Sequence, residues 1–316
     1  MIEVKNLTKQ YGARKAVDDI SFSIKAGEVV GFLGPNGAGK STTMNIMTGF
    51  IAATSGDVTI DGIDIIAQPE LAKRGIGYLP DTPPVYLDMR VKEYLNFVAN
   101  IKGVKGAHRA DMVKYAMTQV SIDDIPGRLI KNLSRGYKQR VGLAQAIIGN
   151  PKVIIMDEPT IGLDPKQIIE MREVVKNLGK KHTVILSSHI MQEVSAVCHR
   201  MMIINKGKIV ASGTPADLSQ SIAKSGMQVV VKGSQSQVVE ALGAFATSHQ
   251  ITATPGDEPG TTQAILTGEG DIREGIFNAM SKNNLPILLM KSTELSLEEI
   301  FIKLTMGAGA ENDSHI

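Results

Sequence analysis

Residues 34–41 read Gly34-Pro35-Asn36-Gly37-Ala38-Gly39-Lys40-Ser41, and this stretch decides the fold. It meets the pattern G-x-x-x-x-G-K-[ST] at every fixed position. Its glycines let the backbone close around an anion and aim several N–H groups at it. Before it, Val29–Leu33 is a short apolar run of the kind a buried strand shows. After it, residues 41–48 have helical character, with Met44 and Met47 three apart. Strand, glycine loop and helix in that order make a phosphate-binding loop, and the helix presents its positive end to the same anion. Lys40 then supplies a point charge for β and γ phosphate oxygens, Ser41 a hydroxyl for Mg²⁺, and Thr42 a further phosphate contact. Four fixed positions match by accident in roughly one chain in a hundred of this length, and the flanking elements lower that figure.

A second apolar run, Val153–Met156, carries Asp157 and Glu158 at its C-terminal end. That is where ligands sit in open parallel sheets. Asp157 is suited to hold Mg²⁺ through water, and Glu158 to orient or deprotonate an attacking water. Two acids after a strand more often cap a helix or face solvent, but beside a phosphate loop the balance reverses. Between the two motifs lies Leu133-Ser134-Arg135-Gly136-Tyr137-Lys138-Gln139-Arg140. Ser134 caps a helix that runs through Val141, Leu143, Ala144 and Ile147 until Asn150-Pro151 stops it. Gly162-Leu163-Asp164 follows the acids, and His189 follows the apolar run of residues 183–188.

These motifs, in this order, resemble the ATP-binding-cassette (ABC) family. Residues 133–140 are similar to its signature, Gly162–Asp164 to its D-loop, and His189 to its switch histidine. The resemblance implies an α/β phosphate-loop NTPase fold, with a RecA-like core plus antiparallel β and α-helical subdomains. It implies ATP and Mg²⁺ as cofactors and ATP hydrolysis as the reaction. It also implies a head-to-tail dimer. Each ATP would rest on residues 34–42 of one subunit, namely Gly34, Pro35, Asn36, Gly37, Ala38, Gly39, Lys40, Ser41 and Thr42. The partner would cover it with Ser134, Arg135, Gly136 and Tyr137, and Asp164 would serve as the D-loop residue. One motif set per chain calls for a homodimer or a sibling subunit. Tyr11 stands where the family's adenine-stacking aromatic lies. Glu158, His189 and Lys40 form the implied catalytic set, with His189 contacting the γ-phosphate and holding the water in line with Glu158.

The chain also departs from the family pattern. Asp81, in Gly77-Tyr78-Leu79-Pro80-Asp81, takes the place of a glutamine that touches Mg²⁺. The implied metal set is therefore Ser41, Asp157 and Asp81. Arg135 replaces a glycine of the signature and Tyr137 a glutamine. With Thr82-Pro83-Pro84-Val85-Tyr86 and the C-terminal stretch Ser296–Thr305, these features resemble bacterial type-2 ABC exporters, in the gliding-motility-associated and multidrug branch. Such a subunit would work on the inner face of the cell membrane through a separate integral-membrane permease. The apolar tip Pro83, Pro84, Val85 and Tyr86 is the expected contact.

Composition narrows the classes. A formal net charge of +2 over 316 residues gives no field that recruits nucleic acid or an anionic membrane. It weighs against a soluble ABC ATPase acting on nucleic acid or ribosomes, for which a basic stripe is expected. No run approaches the about 20 apolar residues that span a bilayer, and the charged start MIEVKNLTK lacks a signal-peptide core. Cys198 is the sole cysteine, so no internal disulfide forms. We place a domain boundary near residue 220, giving an ATPase domain over 1–219 and an accessory α+β domain over 220–305. Residues 306–316 form a small polar tail, expected to be disordered. The accessory segment reads strand, helix, strand, strand, helix, strand, a ferredoxin-like order. Its first helix is expected over residues 235–246, and the segment 69–132 is expected to be helical.

Overall fold

The computed structural model describes residues 1–222, 226–268, 270–293 and 297–306. It begins with β1 (Ile2–Tyr11), β2 (Arg14–Ile24), β3 (Val29–Leu33) and helix α1 (Lys40–Met47). Then come β4 (Ser55–Ile60), β5 (Ile63–Asp64), α2 (Pro69–Arg74), β6 (Ile76–Leu79), α3 (Val91–Ile101) and α4 (Gly106–Gln119). Next are α5 (Arg135–Ile147), β7 (Val153–Met156), α6 (Pro165–Gly179), β8 (Thr183–Ser188), α7 (Met191–Ser195), β9 (Arg200–Asn205) and β10 (Lys208–Gly213). The remaining elements are α8 (Pro215–Ile222), β11 (Gly226–Lys232), α9 (Gln235–Ala241), β12 (His249–Pro255), β13 (Thr261–Gly268), α10 (Arg273–Lys282), β14 (Ile287–Thr293) and α11 (Leu297–Met306).

The chain separates into two compact units that meet in sequence at Pro215/Ala216, and Leu304 returns to the first. The first unit holds a six-stranded sheet in the order β10-β9-β3-β8-β7-β6. All its neighbours are parallel except the β9–β10 hairpin. Its central strands β3, β7 and β8 are buried at every position. A parallel sheet covered on both faces requires this, and it explains their unbroken apolar runs. A second, antiparallel sheet runs β2-β1-β4-β5. Its inward residues Ile2, Val4, Leu7, Ile20 and Val58 share one core with Phe32 and Met202 of the large sheet and Met44 of α1. The two sheets thereby grip the phosphate loop between them.

Residues 76–79 correct the expectation of an all-helical segment, because they form the edge strand β6, paired in parallel with β7. Four residues are too few to show a period, and their pairing is non-local. A Cβ on Gly77 would lie 2.4 Å from the Ala146 oxygen, so β6 presses directly on α5. That helix is held at both ends. The Ser134 hydroxyl accepts from the Tyr137 N–H at 3.4 Å. At the other end, Lys102 Nζ donates to the carbonyls of Gln145, Ala146 and Ile148 at 2.7, 3.2 and 2.8 Å. Burial pushes the Lys102 ammonium down to about 8, while the negative end of the helix favours its charge.

The second unit has a sheet in the order β12-β13-β11-β14, with every neighbouring pair antiparallel. This is the split β-α-β connectivity the sequence order implies. Val229, Val231, Ala264 and Leu266 pack with Val238, Ile276 and Met280 of its helices and with Leu242, which caps α9. Helix α9 stops at Ala241, short of the expected residue 246, and a 3₁₀ turn over Gly243–Phe245 follows. Gly243 sits at this change, where helix propensity is poorest. The expected tail, 306–316, lies outside the described residues from 307 onward.

Candidate functional site

The loop from Gly34 to Gly39 runs from the end of β3 into α1. Gly37 and Gly39 take φ values of 78° and 110°, a region L side chains avoid. A Cβ on Gly39 would fall 2.4 Å from the Ala16 oxygen, and one on Gly34 would fall 2.3 Å from the Ile204 oxygen. The loop thus threads between β2 and β9 with backbone on either side. The β9–β10 turn braces it, since Gly207 N–H donates to the Ala38 oxygen and Gly207 oxygen accepts from Asp18 N–H, both at 2.9 Å. Lys40 is buried. Its Nζ donates to the oxygens of Gly34 at 2.8 Å and Pro35 at 3.3 Å, and lies 3.3 Å from Glu158 Oε1.

Glu158 is the junction of the site. It has φ 47°, a strained value for a non-glycine residue at the end of a strand. Its N–H donates to Ser187 Oγ at 2.9 Å, and the Ser187 hydroxyl donates to Asp157 Oδ1 at 2.5 Å. Its carboxylate spans two partners, Lys40 through Oε1 and His189 Nδ1 through Oε2 at 2.9 Å. The sequence reading brought Lys40, Glu158 and His189 together, and the structure places them in one contact chain.

Burial raises the Asp157 carboxyl above its ordinary range, and the negative charges of Glu158 and Asp81 add to this. Hydrogen bonds from Ser187 and Ser41 oppose it. A carboxylate with a raised folded value destabilises the fold at neutral pH, and that burden is lifted as pH falls through the raised value. Asp157→Asn, which keeps an acceptor for both serines, is therefore expected to raise the melting temperature of the nucleotide-free protein while lowering ATP turnover. Differential scanning calorimetry with a phosphate-release assay checks this, and a lower melting temperature would contradict it.

Ser41, Asp157 and Asp81 present hard oxygens, the donor type Mg²⁺ takes. Among the described residues no three His, Cys, Asp or Glu side chains gather into a metal site of their own. A cation bound by one or two protein oxygens plus phosphate needs no such group. The Asp81 carboxylate accepts from its neighbour's N–H, Thr82, at 2.7 Å, and the Asp81 carbonyl accepts from Gln139 Nε2 at 3.2 Å.

A cleft of about 480 Å³ opens over the loop, lined by Tyr11, Asn36, Gly37, Lys40, Thr42 and Glu158 among others. Tyr11 is 52% exposed, with Lys9 Nζ 5.1 Å from its ring centre. Ser134, Arg135, Gly136 and Tyr137 are not among the residues lining this cleft in their own chain. Gly136, Tyr137 and Asp164 line a separate cleft between α5 and α6. There Asp164 caps α6, accepting from Gln167 N–H at 2.9 Å. The Gln167 amide fills the space a Gly136 side chain would need, 2.3 Å from its Cβ position.

Sequence reasoning missed Ser187 and Glu193. Glu193 is buried, accepting from Ser188 Oγ at 3.0 Å and from the Thr160 hydroxyl. It ties the segment after Glu158 to the segment before His189. A glutamate four residues beyond the histidine was the available signal.

Comparison with known proteins agrees with this geometry. The profile of the family described as ABC transporter matches residues 17–161. The lipopolysaccharide export system ATP-binding protein LptB of Escherichia coli is 35% identical over 223 residues, covering 69% of this chain and 92% of LptB. The linearmycin resistance ATP-binding protein LnrL of Bacillus subtilis is 30% identical over 312 residues, covering 96% of this chain and 98% of LnrL. Among solved structures, the dimeric post-hydrolysis state of the ATP-binding cassette MJ0796, bound to ADP and Pi, aligns with TM-score 0.62 at 25% identity. It covers 68% of this chain and 98% of that one. The phosphate loop, the Asp157–Glu158 pair and these relatives agree: the chain belongs to the ATP-binding subunits of ABC transporters, which are ATPases.

Proposed function

We propose that two copies, or one copy and a sibling, close head to tail on ATP and drive export through a separate membrane permease. One observation carries the dimer. Within a single chain none of Ser134–Tyr137 lines the cleft over the phosphate loop, so a γ-phosphate held there would have no contact with that helix tip of its own chain. A partner's N–H groups at the start of α5 supply the missing anion site. The dimeric cassette with ADP and Pi supports the same reading.

In that closed state residues 34–42 cradle the phosphates, and Lys40 exchanges its loop carbonyls for phosphate oxygens. Glu158, 2.9 Å from His189, orients and deprotonates the attacking water while His189 contacts the γ-phosphate. Ser41, Asp157 and Asp81 would hold Mg²⁺, which neutralises charge on the β and γ oxygens. Tyr11 stacks on the adenine.

Coupling to the permease is assigned to the loop after Asp81. Pro83 packs on Gly142 of α5 and is half-buried, whereas Tyr86 and Leu87 are 54% and 50% exposed. No helix among the described residues is long and apolar enough to cross a membrane; on this reading the permease provides the contact with the inner face. A photo-reactive residue in place of Leu87 is expected to crosslink to an integral-membrane protein in membranes from the source cell. Crosslinks to soluble proteins alone would overturn the assignment.

A further inference from the structure

We propose that Arg14 is a second cationic ligand for the phosphate chain of the bound nucleotide. The proposal rests on ATP binding at residues 34–42. Arg14 opens β2 and pairs with Tyr11 across the β1–β2 turn, so the aromatic ring and the guanidinium stand at the same end of the cleft. The guanidinium is exposed and donates from Nη2 to the Gly37 oxygen at 3.3 Å. It lies over the left-handed Gly37, 3.4 Å from where a Cβ would be. That is the rim of the loop, where successive N–H groups form an anion-binding nest. One donor is engaged, and a guanidinium has five.

The neighbouring residue sharpens the contrast. Lys15 does not line the cleft and pairs with Asp18 at 2.7 Å. Among the described residues Arg14 has no carboxylate within ion-pair distance, although three acids lie close to the loop. Those acids are Glu158 and Asp81 in the cleft wall and Asp157 bonded to Ser41. Against them, among the described residues, Lys40 is the only other cation lining this cleft. An incoming nucleotide adds further negative charge, and Asp81 stands where a neutral glutamine is the family pattern. A second fixed cation on the phosphate path offsets that excess, and guanidinium geometry suits a phosphate.

The test compares wild type with Arg14→Ala, Arg14→Gln and Arg14→Lys for binding of ATP, ADP and adenosine, by displacement of a fluorescent nucleotide. Arg14→Ala and Arg14→Gln are expected to weaken ATP and ADP roughly tenfold, the scale of one charge-assisted hydrogen bond. Adenosine affinity should stay unchanged, and Arg14→Lys should recover most of the loss. If glutamine restored binding and lysine did not, Arg14 would be a prop for the Gly37 carbonyl and the proposal would fall. It falls equally if the variants match wild type, or if adenosine weakens as much as ATP. Failure of wild type to bind ATP would instead refute the nucleotide site itself.

Discussion

Glu158→Gln is expected to cut phosphate release by at least about a hundredfold, the lower range for loss of a positioned general base. The amide is nearly isosteric and still offers an oxygen toward His189 Nδ1, 2.9 Å away in the native protein. What it removes is the proton acceptor and the charge facing Lys40 at 3.3 Å. Lys40 then loses a competitor for phosphate, so ATP affinity should hold or rise. With binding intact and chemistry blocked, an ATP-dependent dimer should accumulate. Phosphate release and analytical ultracentrifugation with and without Mg·ATP read the two effects separately. Equal turnover in variant and wild type would remove Glu158 from the mechanism. A variant that stays monomeric in ATP would sink the head-to-tail dimer.

Gly39→Ala is expected to abolish nucleotide binding, raising the ATP dissociation constant more than about a hundredfold. Two effects coincide. A φ of 110° is hostile to a side chain, at a cost of about 1–3 kcal/mol. The new Cβ would also sit 2.4 Å from the Ala16 carbonyl oxygen, part of strand β2, which cannot swing aside as a side chain can. The loop must move, and its N–H groups lose their convergence. Gly37→Ala serves as the internal comparison. Its φ of 78° is also left-handed, but its Cβ would meet only the end of the Arg14 side chain, at 3.4 Å. It should retain measurable ATP binding. Isothermal titration of both variants decides the matter. If Gly39→Ala bound within tenfold of wild type, the loop geometry would be wrong.

Much of this site was readable because its parts are local. The phosphate loop compresses turn chemistry, charge and helix start into eight consecutive residues, and Asp157–Glu158 follow an unbroken apolar run of the buried-strand type. The order of strands and helices in residues 226–293 likewise follows from period and punctuation. What escaped depends on distant segments meeting. Strand β6 is a strand because β7 offers it an edge, not because Ile76–Leu79 announces one. Ser187 matters only because β8 lies beside β7 and brings its hydroxyl between Asp157 and the Glu158 N–H. Glu193 reads as an ordinary helical acid until the fold buries it against Thr160 and Ser188. Lys102 looks like a solvated residue after a helix, yet it closes the far end of α5. In Tyr11-Gly12-Ala13-Arg14-Lys15, spacing alone could not say which cation turns toward the cleft.

The ammonium of Lys40 bears on how the engine cycles. Its three donors have partners in two loop carbonyls and the Glu158 carboxylate. On the proposed function, a phosphate would take the lysine by an exchange of partners, and Glu158 would be released when a terminal phosphate draws the lysine away. Once that phosphate departed, the lysine and Glu158 would rejoin, in competition with the spent nucleotide for the same charge. On the proposed function, the lysine–glutamate contact would act as a return spring.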